Sequence, residues 1–403
     1  MKGHCVSADG TRAVKPGLVM LALAMGGFAI GTTEFAAMTL LPYFAPSLGI
    51  DAPTAGHVIS AYALGVVVGA PVVAVLSARM PRRNLLIALM TMFALGNGLS
   101  AVAPDYHTML LFRFLSGLPH GAYFGVAALV AAGLVPAHRR AQAVARVMLG
   151  LTVATVIGVP FANALGQFIG WRVGFAIVAG LALLTAILVW RFAPHDAAPE
   201  GASPLRELGA LRNRRVWLTL ATGAIGFGGL FAVYTYLAST MLEVTGAAPA
   251  VLPAMFAIFG VGMTAGTLVA AWAADRALMP TAAGMFLMSA LMLALFPLAA
   301  GHLWTLAIDI FLIGCGGGVG VVLQTRLMDV AGQAQTLAAA LHHSAFNVAN
   351  ALGPWAGGLA IAAGYGWTST GLVGAGLALG GVALVGLSAI DDRMRRASVA
   401  CPA

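Results

Sequence analysis

The sequence predicts an all-α membrane protein of twelve transmembrane helices arranged as two pseudo-symmetric six-helix bundles. Three observations carry this. Of 403 residues, 60% are apolar and only 8% charged, with a mean hydropathy of +0.94. A water-soluble domain carries about 25% charged residues, so this chain has too little polar surface to face water. Long apolar runs recur along the whole length, as helical spans require, whereas a transmembrane barrel would alternate in short strands. Finally, residues recur at one offset. Gly65, Gly69 and Arg79 reappear as Gly262, Gly266 and Arg276, shifted by 197. Gly27, Phe35, Ala36, Thr39 and Leu41 reappear as Gly223, Phe231, Ala232, Thr235 and Leu237, shifted by 196. One matched glycine means little in a chain with 51, but eight matches at nearly one offset indicate homologous halves. Sites are then expected at their interface near the bilayer midplane.

The spans of the first half run over about 17–42, 54–78, 84–103, 107–133, 141–166 and 172–192. Those of the second run over about 216–241, 250–274, 280–300, 303–328, 337–363 and 368–390. Lys2, Arg12 and Lys15 precede the first apolar stretch. That stretch is longer than a signal peptide's and contains Glu34, so it reads as a retained span. The resulting organisation is an N-tail 1–16, a first bundle 17–192, a linker 193–215, a second bundle 216–390 and a C-tail 391–403. The linker carries Pro194, Pro199, Pro204, Arg206, Arg212, Arg214 and Arg215.

Loop charges orient the chain. The N-tail, Arg79/Arg82/Arg83, His138/Arg139/Arg140, the linker, Arg276, Arg326 and Arg393/Arg395/Arg396 fall on one side. Opposite loops carry Asp51, Asp105 and Glu243, with Arg172 as their base. Basic loops stay in the cytoplasm, so both termini are expected there. The same rule accounts for the net charge of +8 and the pI near 9.9 without a nucleic-acid partner. Basic loops could touch anionic lipid headgroups, although topology alone explains them.

Several chemistries are excluded as expectations. Cys5, Cys315 and Cys401 lie far apart with no metal or disulfide spacing, so no metal or cofactor is expected. No HExxH, GxSxG or His/Cys cluster points to an enzyme. No phosphate-binding G-x-x-x-x-G-K-[ST] loop occurs, so energy would come from a gradient and not from ATP.

Glycine and proline read as mechanical. Gly65/Gly69 and Gly262/Gly266 are small-xxx-small pairs that allow close helix approach. Gly158, Pro160 and Gly166 in the fifth span, and Gly353, Pro354, Gly357 and Gly358 in the eleventh, occupy equivalent places. Proline removes a backbone donor and loosens a helix, so a bend that lets the halves rock is expected there.

Several motifs resemble those of the major facilitator superfamily, across roughly residues 16–390. After the second span that family carries G-x-L-A-D-R-x-G-R-R. Here AVLSARMPRR keeps Leu76, Arg79, Arg82 and Arg83 but has Ala78 for the acid and Pro81 for a glycine. The second-half copy, AWAADRALMP, keeps Asp275 and Arg276. RFLSGLPHG, from Arg113, resembles the helix 4 motif R-x-x-x-G. Gly150, Gly158 and Pro160 resemble the antiporter motif of helix 5, with Val159 separating a pair that Gly353-Pro354 keeps intact. GTTEFAAMTLLP resembles the helix 1 motif of the drug:proton antiporter branch. With RFLSGLPHGA it points to the arabinose-efflux-permease-like subgroup. The resemblance implies a transporter of small molecules, either a proton-coupled exporter or a facilitator or importer. It also implies a monomer, a bacterial inner membrane location, and helices 1, 4, 7 and 10 around a central cavity.

Candidate chemistry follows from charge in apolar surroundings, which is costly and marks function. Glu34 lies roughly 24 Å along helix 1 from its cytoplasmic start, and Arg113 roughly 9 Å along helix 4 from the outside. In a hydrocarbon core about 30 Å thick these depths agree. Asp309 is Arg113 shifted by 196. A carboxylate out of water takes up a proton readily and a nearby guanidinium opposes it. Glu34 is therefore the expected proton-titrating group and Arg113 its regulator; the other reading is a fixed ion pair. Asp309 is a second proton or cation site, or a hydrated surface group. His120, two turns below Arg113, is a packing histidine or a proton relay. His342 and His343 read as a solvated helix end. Tyr62, Tyr123, Tyr234, Tyr236, Gln324, Asn347 and Asn350 offer rings and hydrogen-bonding groups for a substrate.

Overall fold

The computed structural model describes residues 15–77, 80–136, 140–195, 213–331 and 335–400. Helices joined by turns and loops make up these residues, with eleven helices long and apolar enough to cross a membrane. In chain order we label the long helices α1 (Pro16–Thr39), α2 (Ala52–Leu76), α3 (Arg82–Ala101), α4 (Tyr106–Gly133), α5 (Ala143–Phe168) and α6 (Trp171–Phe192). The second half continues with α7 (Arg214–Glu243), α8 (Pro249–Ala274), α9 (Leu278–Ala299), α10 (Leu303–Ala331), α11 (Gln335–Ala360) and α12 (Ser369–Ala400). The helix outside the eleven is α11, whose described part carries His342, His343, Ser344, Asn347 and Asn350. These residues lower its hydropathy, yet most of them are buried among other helices.

Local chemistry explains the ends. Helix α1 stops at Thr39, short of the expected residue 42, and a separate short helix, Leu41–Ser47, follows with Pro42 in its first turn. Asp51 caps α2 and Asp105 caps α4, each accepting a hydrogen bond from the backbone N–H three residues on. Such caps satisfy orphan donors at a helix start. Hydrogen bonding to Thr54 holds the Asp51 carboxyl below its usual range, and the Thr108 backbone N–H does the same for Asp105. Gly246, with φ of 65°, makes the turn from α7 to α8.

Packing repeats between the halves. Helix α1 packs on α5 and α6 as α7 packs on α11 and α12, α2 on α4 as α8 on α10, and α3 on α6 as α9 on α12. The glycine repeat is the means. A Cβ on Gly65 or Gly69 would overlap the carbonyls of Phe114 and Leu118; on Gly262 or Gly266 it would overlap those of Phe311 and Cys315. All four contacts map onto one another by the same shift of 197. Side chains facing away from these contacts are apolar and exposed, among them Leu95 at 63%, Leu268 at 68% and Trp304 at 81%, as a lipid-facing surface requires. Hydroxyls inside the helices bond back one turn, as Thr32 does to Phe28 O and Thr185 to Leu181 O, which hides them from lipid.

Residues 391–400, read from sequence as a tail, instead continue α12 to Ala400. Asp391 pairs with Arg214 and Arg395, and Asp392 with Arg215 and Arg326. These ion pairs tie the end of α12 to the start of α7 and the end of α10. Most of the linker, residues 196–212, and Arg79 lie outside the described residues.

Candidate functional site

Helices α1, α2, α4 and α11 bring Glu34, Tyr62, Arg113, His120 and Asn350 together at the seam between the halves. Glu34 is buried, and its Oε1 accepts a hydrogen bond from Asn350 Nδ2 at 3.1 Å, across the seam. Arg113 lies within electrostatic reach of Glu34 but makes no ion pair with it. Its Nη1 instead donates to Thr33 Oγ1 at 3.2 Å and Asn97 Oδ1 at 3.4 Å, while Thr33 Oγ1 donates to Asn97 Oδ1 at 2.7 Å. The guanidinium lies over the Tyr62 ring at 4.3 Å and near Phe175 at 5.3 Å. Arg113 is thus held by neutral groups and rings. The depth match placed two charges at one level, but depth fixes no angle around a helix, and the register turns Glu34 toward α11.

His120 Nδ1 and Tyr62 Oη share a 2.9 Å hydrogen bond. The His120 ring lies 6.2 Å from that of His343, which stacks on Phe124 at 5.1 Å. His342 packs on Phe346 at 4.5 Å and is buried. This corrects the expectation of a solvated helix end: α11 begins at Gln335, so both histidines lie two turns inside it.

The remaining candidates separate. Asp309 is buried on α10 and makes no hydrogen bond or ion pair with any described residue; its Oδ2 is enclosed and unpartnered. Tyr123 donates to Leu23 O and Tyr236 to Pro354 O, so both hydroxyls are spent on helix packing. Tyr234 packs edge-on to Phe35 across the seam. Asn347 donates to His343 O and leaves a buried Oδ1 free, and Gln324 is half-buried on α10.

The glycine–proline motifs sit where helices touch. A Cβ at Gly150 would overlap Ala24 O, one at Gly158 would strike Thr32, and one at Gly353 would overlap Gly228 O. Just before Pro160, α5 opens into a π-helical turn over Ala154–Gly158, a local irregularity that often marks functional positions. In the loop motifs, Arg83 bonds Trp190 O and His195 Nε2, tying α3 to the end of α6. Arg82 is half-buried at the start of α3. Arg276 folds back onto Trp272 and Asp275 is exposed, so among the described residues this pair forms no hydrogen bond or ion pair with a second helix.

Sequence reasoning missed Thr33 and Asn97. The signal was an asparagine in the apolar α3 run, but only tertiary register shows that it faces Arg113. Replacing Arg113 by Lys removes the planar fork that reaches both groups while lying on Tyr62, so the change is not conservative. Losing one charged hydrogen bond costs about 1.5–3 kcal/mol, roughly a 10- to 150-fold loss. Arg113→Lys is expected to lower transport by that order with expression retained, as measured by flux per reconstituted protein.

At the seam the halves touch along α1 and α7 through Phe35 and Phe231, along α2 and α11 through Ser60 Oγ donating to Ala351 O, and along α5 and α8 through Gln167 donating to Pro249 O. In sequence, the chain is 41% identical over 364 residues to the inner membrane transport protein YdhP of Escherichia coli (strain K12), covering 89% of this chain and 94% of YdhP. It is 33% identical to AraJ of the same strain, covering 86% and 88%. It is 36% identical to the chloramphenicol resistance protein of Streptomyces lividans, covering 84% and 87%. Its fold is similar to the crystal structure of a mutant of the nucleoside transporter NupG, at a TM-score of 0.73 and 14% identity, covering 92% of this chain and 99% of that one. The Major Facilitator Superfamily model matches residues 23–335. This chain therefore belongs to the Major Facilitator Superfamily: it is an integral membrane transporter, not an enzyme.

Proposed function

We infer that this transporter exports small organic molecules in exchange for protons, by alternating access between two six-helix bundles, residues 17–192 and 216–390. The observation that carries this is Glu34, a buried carboxylate at the seam whose direct partner is an amide of the other half, while Arg113 bonds Thr33 and Asn97 instead of it. A carboxylate fixed in a salt bridge would be locked as an ion. One held by an amide stays free to take up a proton, because no fixed opposite charge opposes it directly. Glu34 is the proton carrier, Arg113 sets how readily it loses the proton, and His120 relays through Tyr62. Asp309 serves as a second protonation site. Tyr62, Gln324, Asn347 and Asn350 contact substrate. The name of the Streptomyces relative supports drug-like cargo, and that of YdhP supports a place in the bacterial inner membrane. Both termini lie in the cytoplasm and the transporter works as a monomer.

The test is transport by the purified protein in liposomes with an imposed pH gradient. The panel comprises cationic dyes, chloramphenicol-like drugs, pentoses and nucleosides. Accumulation that disappears when an ionophore collapses the gradient is the expected result. Flux that equilibrates a substrate and ignores the gradient would instead make the protein a facilitator.

A further inference from the structure

A polar stripe on α11 faces the first half at the level of Glu34. His343, Asn347 and Asn350 follow at spacings of four and three residues, which places them on one helix face. His343 meets His120 and Phe124 of α4, and Asn350 meets Glu34 of α1. Asn350 has no solvent exposure, and its Oδ1 has no partner. Its bond to Glu34 therefore accounts for all the hydrogen bonding of its side chain among the described residues. That bond exists only while α1 and α11, one from each half, stand close at this depth.

A hydrogen bond to an ionised carboxylate is roughly twice as strong as one between neutral groups. The groups around Glu34 are few. Arg113 acts on it from α4, Tyr62 feels it from α2, and His120 is joined to Tyr62. From the second half, α7 contributes Tyr234 and α11 contributes His343. Described charges on α5 and α6 lie toward their ends, at Arg146, Arg172 and Arg191. None of these takes the place of Asn350 on the carboxylate.

We propose that Asn350 is a positioning residue that ties closure of the seam to the charge on Glu34. The bond holds the halves together while Glu34 is ionised, and it yields when Glu34 is protonated or when a substrate group displaces the amide. The inference rests on the reading of Glu34 as proton carrier and adds the residue that makes its charge mechanical. An empty, unprotonated carrier stays latched, whereas proton and substrate each release the same latch. That arrangement suppresses slippage without cargo, as exchange requires.

The experiment measures the distance between spin labels on the full-length protein in lipid nanodiscs, across about pH 4 to about 9, a range that takes in the ordinary glutamate and imidazole pKa values. Labels replace Phe168 and Ala248, both exposed beside the α5–α8 contact, with the native cysteines removed. The wild type is expected to show a short distance at high pH and a growing long-distance population as pH falls. Asn350→Leu should lose the short population at high pH and with it the pH dependence. Asn350→Asp should reverse the sign, because two carboxylates repel when ionised and share a proton in acid. This second variant keeps the test decisive should Asn350→Leu fail to fold. Wild-type profiles in both Asn350 variants, with a flat profile in Glu34→Gln, would overturn the latch and leave the proton role of Glu34 standing. A wild-type profile in Glu34→Gln would remove the proton role itself.

Discussion

Glu34→Gln is expected to abolish uphill, gradient-driven accumulation while preserving exchange of substrate for substrate across the liposome membrane. Glutamine fills nearly the same space and keeps a carbonyl oxygen for Asn350 Nδ2, but as a neutral group it holds that amide only as weakly as protonated Glu34 does. It carries no exchangeable proton in the physiological range, so a cycle that needs one stalls. Counterflow needs only the loaded carrier to cross, and continues. A defect in both modes would point to lost folding or lost substrate binding. A defect confined to the uphill mode isolates coupling. Because Arg113 is held by Thr33 and Asn97 and not by Glu34, the arginine keeps its partners in this variant, and thermal stability is expected to change little.

Gly266→Leu carries the second large effect, on stability. The Gly266 backbone lies against that of Cys315 so closely that an added Cβ would overlap the carbonyl group. No flexible side chain is there to move aside, so α8 and α10 must separate. In a bilayer, tight backbone approach is a main source of helix association. Overpacking typically costs about 1–3 kcal/mol, and here it also parts a helix pair. Gly69→Leu is expected to do the same to α2 and α4 by the repeat relation. Gly125→Leu is the control, since no atom lies near its added Cβ. Thermal denaturation in detergent, followed by monodisperse elution, should rank Gly266→Leu and Gly69→Leu well below the control and the wild type.

Much of this molecule could be read in its sequence because the governing interactions are local or repeated. Apolar runs fix the spans, since lipid allows a crossing backbone few alternatives to a helix. The glycine pairs announced that α2 and α8 each approach a neighbour closely, because close approach requires small residues at i and i+4, while only the fold shows those neighbours to be α4 and α10. Glu34 and Arg113 stood out because charge is rare at such depth. What the sequence could not convey is azimuth and register. Thr33 and Asn97 look like ordinary helix residues until the fold turns them toward Arg113. His342 and His343 looked like a solvated terminus because they lie near the cytoplasmic start of their helix, and only the fold shows His342 buried on Phe346 and His343 stacked on Phe124. Asp391 and Asp392 read as a polar tail until Arg214, Arg215 and Arg326 are seen around them.

The most direct measurement counts protons against substrate. Liposomes containing the purified transporter and an internal pH dye are loaded with a substrate found in the panel, and proton entry and substrate exit are recorded together, for wild type and Glu34→Gln. Substrate leaving the wild-type vesicles is expected to draw protons in at a fixed ratio, and this coupled proton flux is expected to vanish in Glu34→Gln. Substrate exit with no accompanying proton entry in the wild type, or undiminished proton entry in Glu34→Gln, would contradict proton exchange through Glu34.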